Sequence, residues 1–103
     1  MAARDGGTEI ADRIRRKLTE ALVPRRLDIV DETSLHAGHA GVHPQGESHF
    51  RIVIVADAFT GTSRVARHRL VYDLLAEEMY DRIHALALTT LTPSEESSTR
   101  VGG

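Results

Sequence analysis

Apolar residues recur at every fourth position near the start of the chain, at Ile10, Ile14, Leu18 and Leu22, with Ala11 and Ala21 widening the stripe. That period predicts a helix with one buried face. Thr8 stands where an N-cap belongs, and Glu9 and Asp12 fall in the first turn, where the helix dipole favours anions. Arg15, Arg16 and Lys17 lie off the stripe, and Pro24 closes the segment. Leu27 and Ile29 alternate with Asp28 and Val30 as in a short strand. From Phe50 to Val55 the chain is apolar on both faces apart from Arg51, the pattern of a central strand. After a turn from Asp57 to Gly61, Ser63 is the expected N-cap of a second helix buried through Val65, Leu70, Val71, Leu74, Leu75 and Met79. Ile83 to Leu91 alternates Ala and Leu as a third strand. The order is helix, strand, strand, helix, strand, which predicts an α+β fold.

Three stretches lack periodicity. Glu32 to Ser48, punctuated by Gly38, Gly41, Pro44 and Gly46, is long for a connection, and such loops are often functional or disordered. Residues 1–7 are expected to be flexible, 8–93 to form the domain, and 94–103, rich in Ser and Glu, to form a flexible tail.

Composition narrows the chemistry. The 103 residues are 41% hydrophobic and 27% charged, with 13 basic and 15 acidic residues and a net charge of −2. That size suits one core without staples, and that charge argues against adhesion to nucleic acid or membrane through bulk charge. No apolar run is long enough to span a bilayer, and the N-terminus has no apolar stretch of a signal peptide; a cytoplasmic, bacterial-like protein is expected. There are six histidines and no cysteine. Thiol nucleophiles and clusters held by this chain's own thiolates are excluded, and histidine is its only soft-metal ligand. No phosphate-binding loop, dinucleotide fingerprint or nucleophile motif occurs, so no enzyme is expected; Glu77 and Glu78 read as solvated helix charges.

His36, His39 and His43 share the long loop at spacings that let imidazoles converge on one metal, although structural zinc sites usually include thiolates. A solvated loop is the plainer reading. His84, beside Leu86 and Leu88, reads on its own as a partly buried, hydrogen-bonded histidine. His49 reads as a core or edge hydrogen-bonding residue. Arg64, Arg67, His68 and Arg69 crowd the start of the second helix and form either an anion-binding patch or a solvated basic face.

Taken in order, DETSLH at Asp31–His36, ESHFRIVIV at Glu47–Val55, FTG at Phe59–Gly61, RHRLVY at Arg67–Tyr72, LLAEEM at Leu74–Met79 and IHALAL at Ile83–Leu88 resemble the BolA family. The resemblance implies a fold like the class II KH domain, a three-stranded sheet with helices on one face. It also implies pairing with a monothiol glutaredoxin around a shared [2Fe-2S] cluster, to which the glutaredoxin and glutathione contribute thiolates. His84 would then be a cluster ligand and His36 the loop ligand, with His39 as the alternative. Family members also act as transcriptional regulators, which implies DNA as a second partner. That role would use Arg64, Arg67, His68 and Arg69, but the turn offers only Gly61 where a KH domain has a GxxG clamp. The tail departs from the family by lacking an obvious final helix.

Overall fold

The computed structural model describes residues 9–32 and 49–102. Helix α1 (Glu9–Leu22) buries Ile10, Ile14, Leu18 and Leu22, the stripe its period predicts. Val23 ends it in the left-handed region at φ 47°, its N–H donating to Thr19 O at 3.0 Å. Glycine usually fills that post, because a β-branched side chain is strained there.

Strands β1 (Arg26–Asp31), β2 (His49–Val55) and β3 (Ala85–Leu91) form one mixed sheet in the order β1-β2-β3. β1 and β2 are antiparallel; β2 and β3 are parallel, with His49 opposite Ala85 and Val55 opposite Leu91. A parallel pair needs a crossover, and the helices between β2 and β3 supply it. The core lies on one face, where Leu27, Ile29, Phe50, Ile52, Ile54, Leu86 and Leu88 meet α1, Phe59, Val71, Leu75 and Ile83. On the opposite face Arg51, Ala85, Ala87 and Thr89 are exposed. The α+β sheet with helices on one face therefore stands as expected.

A 3-10 turn (Asp57–Phe59) follows β2, and Gly61 leaves it at φ 83°, a conformation that suits glycine. Ser63 caps α2 (Arg64–Leu74) as the sequence predicts, its Oγ accepting from Ala66 N at 3.0 Å. The crossover is not one helix. It breaks at Leu75 and resumes as α3 (Ala76–Asp81). Val71 and Leu75 are buried, but Val65 and Leu70 are exposed, so the core-facing stripe of α2 is narrower than its apolar content suggests.

Two expectations fail in this region. Glu78 is not a solvated helix charge; its side chain is fully buried, with Lys17 Nζ 2.9 Å from Oε1 and Arg13 Nη2 2.9 Å from Oε2. Burial alone would raise this carboxyl's pKa, but the hydrogen bond from Lys17 and the charge of Arg13 outweigh it and hold the pKa below its usual value. The cluster ties α3 to α1.

Residues after Leu91 are also not an unstructured tail, because Pro93–Gly102 form helix α4. Thr92 Oγ1 accepts from Glu95 N at 3.1 Å, and Glu95 Oε1 accepts from Thr92 N at 2.9 Å. That is a capping box with proline at the first helical position. The signal is present in the sequence as Thr92-Pro93-Ser94-Glu95; the Ser and Glu content masked it.

Candidate functional site

His84 sits in the bend just ahead of β3 and is exposed. It is therefore neither inside the strand nor partly buried, as the alternation of Ile83 to Leu91 suggests. His49 is the first residue of β2 and half-exposed. Because β2 and β3 are parallel, both strands begin at the same end of the sheet, and the rings of His49 and His84 meet edge to face with centroids 6.4 Å apart. This contact brings together two histidines that are distant in sequence. The signal that would have found His49 is the parallel register, which no local pattern contains.

The loop histidines His36, His39 and His43 lie outside the described residues. The loop enters β2 directly at His49, so chain connectivity ends that segment at the histidine pair. Among the described residues, no group of three or more His, Asp or Glu side chains is placed to hold a metal by itself. Two imidazoles offer neutral nitrogen ligands, and the chain has no thiolate to complete a four-ligand set. Among the described residues, these two imidazoles alone do not make up a metal site.

The basic residues of α2 separate into two kinds. Arg64 and Arg69 are exposed and His68 is half-exposed, whereas Arg67 is buried at 5% exposure. Arg67 Nη1 donates to Glu95 Oε1 at 2.7 Å and to Thr90 O at 3.2 Å, and Nη2 donates to Glu95 Oε2 at 3.3 Å. Nε donates to Thr62 O at 3.2 Å and to Thr62 Oγ1 at 3.1 Å, and the guanidinium lies 5.7 Å from the Phe59 ring centroid. Arg67 thus corrects the expectation of a solvated, partner-binding cation. A guanidinium carries five donors in a fixed fork, and here that fork joins α2, β3 and α4. Its hydrogen bonds, with one from the Thr92 backbone, hold the Glu95 carboxyl at about 2. The local charge at the start of α2 is accordingly smaller than its sequence suggests.

No helix among the described residues is long and apolar enough to cross a membrane.

Comparison with known proteins agrees with the fold. The family model described as BolA-like protein matches residues 18–95. The chain is 46% identical over 86 residues to the DNA-binding transcriptional regulator BolA of Escherichia coli, covering 84% of this chain and 78% of that protein. It is 48% identical over 87 residues to the SufE-like protein 1 of Arabidopsis thaliana, covering 81% of this chain but only 24% of that much longer protein. The solution structure of BolA1 from Mus musculus superposes with a TM-score of 0.77 at 34% identity, covering 97% of this chain and 78% of that one. On the agreement of sequence, sheet order and structural neighbours, the chain belongs to the BolA-like family.

Proposed function

We propose that the chain is a non-catalytic adaptor that binds a monothiol glutaredoxin and shares a bridging [2Fe-2S] cluster with it and with glutathione. The observation that carries this reading is the exposed His84 beside His49 at the end of the sheet where the histidine-bearing loop arrives. His84 and a loop histidine, His36 with His39 as the alternative, would face the cluster, and His49 would set the orientation of the His84 ring. The cluster supplies iron and sulfide; this chain supplies neutral imidazole nitrogens and a rigid sheet end that fixes one of them. The partner supplies the thiolates that the chain lacks.

Anaerobic co-purification with the cognate glutaredoxin and glutathione tests the reading. A coloured complex with visible circular dichroism is expected. His84→Ala is expected to keep the far-ultraviolet spectrum of the free protein and to lose the cluster faster. An unchanged visible spectrum and cluster lifetime in that variant would remove His84 from the site.

A second reading, a DNA-binding regulator, is favoured by the name of the Escherichia coli relative. With Arg67 held by Glu95, the residues left for phosphate are Arg64, His68 and Arg69. Two or three phosphate contacts give a shallow salt dependence, with a logarithmic slope of about −2 to −3. A titration of duplex DNA at several salt concentrations tests this, and a steep slope would show that a larger surface is used.

A further inference from the structure

β3 is an edge strand of the sheet, and its outer side carries no further strand among the described residues. A groove of about 310 Å³ runs along it, lined by Leu88, Thr89, Thr90 and Leu91 of β3 and by Arg64 and His68 of α2. Alternate side chains of a strand point to opposite faces. Four consecutive residues lining one groove therefore share their backbone edge rather than a face. The direction of that backbone follows from two bonds. Leu91 O accepts from Ala56 N at 3.0 Å on the β2 side, while Thr90 O accepts from Arg67 on the other side. By alternation the N–H and C=O groups of Leu86 and Leu88 also point outward, as does the N–H of Thr90.

We propose that this edge receives an extended acidic segment of a partner protein, added as a fourth strand beside β3, with its carboxylates against Arg64 and His68. Three observations select this occupant. Arg64 and His68 make no side-chain hydrogen bond or ion pair among the described residues, and the Arg64 guanidinium, whose charge also reaches Glu95, places a cation on the wall opposite the edge. The edge presents carbonyls as well as N–H groups. A peptide satisfies both, whereas a phosphate backbone has no donor for a carbonyl and would be repelled by it. A second copy of this chain is disfavoured because edge-to-edge pairing would set Arg64 and His68 against their own counterparts. The groove begins about 13 Å along β3 from His84, at about 3.3 Å per residue. Its lining residues are distinct from the histidine pair.

Synthetic peptides of about eight residues, an ordinary strand length, test the proposal against the full chain. The first alternates Glu with Val, the second Lys with Val, and the third is the acidic peptide N-methylated at alternate residues. The acidic peptide is expected to bind and to shift the amide resonances of Leu86 and Leu88, while the Lys peptide and the N-methylated peptide bind at least about fivefold more weakly. Arg64→Glu together with His68→Glu is expected to weaken the acidic peptide at least about fivefold and leave the glutaredoxin complex intact. Absence of acidic-peptide binding at millimolar concentration would overturn the proposal. So would equal binding of the N-methylated peptide, self-association through β3, or duplex DNA displacing the peptide while shifting the same amides.

Discussion

Replacing Arg67 with methionine separates a structural cation from a partner-binding one. Met preserves much of the aliphatic stem but not the guanidinium beside the Phe59 ring. What is lost is the fork: contacts to Glu95, Thr90 O and Thr62 that join α2, β3 and α4. Removing one member of a fully buried ion pair typically costs about 3–5 kcal/mol, because its partner is left charged and dry. Here the Glu95 side chain is 40% exposed and can regain water. That lowers the expected loss to about 2–3 kcal/mol, contributed mainly by the two stranded carbonyls and the lost bonds to a charged donor. For a domain of this size the melting temperature should fall by roughly 10–20 °C. Guanidinium titration followed by far-ultraviolet circular dichroism measures it. Arg67→Lys, which keeps the charge but not the fork, should lose about half as much. A stability for Arg67→Met within about 0.5 kcal/mol of the parent would refute the reasoning and return Arg67 to the solvated basic face.

Three further outcomes follow from the same contacts. Glu95 has a folded-state pKa of about 2 against an ordinary value of 4.5, so its contribution to stability is present above pH 4.5 and is lost as pH falls towards 2. Acid titration of stability should show that decline, and Glu95→Gln should flatten it. Glu78, also held low by Lys17 and Arg13 despite burial, adds to the decline with the same sign. Val23→Gly should raise stability by about 1 kcal/mol, since it relieves a β-branched residue at φ 47° that is 75% exposed and has little packing to lose. A lower denaturation midpoint would contradict it. Thr90→Val should be neutral or stabilising by up to about 1 kcal/mol, because Oγ1 is buried, at a residue 2% exposed, without a hydrogen-bond partner among the described residues. A loss above that amount would reveal a hydrogen bond to that hydroxyl.

Much of the fold was legible in the sequence because burial leaves a period. Ile10, Ile14, Leu18 and Leu22 could only be one helix face, and the doubly apolar run after Phe50 could only be a central strand. Ser63 announced its helix through the chemistry of a cap, as Thr92-Pro93-Ser94-Glu95 did for α4 once its composition is set aside. Charge was where local reading failed. Arg67 and Glu78 look like any solvated residues of a helix, because a pattern along the chain records polarity and not the company a side chain keeps. Glu95 reaches Arg67 from 28 residues away, and Glu78 meets Lys17 across 61. The meeting of His49 and His84 depends in the same way on the parallel register of β2 and β3, and the open groove depends on which strand is last in the sheet. Periodicity fixes which surfaces are buried; pairing across elements decides which charges are neutralised, which histidines become neighbours and which backbone edge stays unpaired.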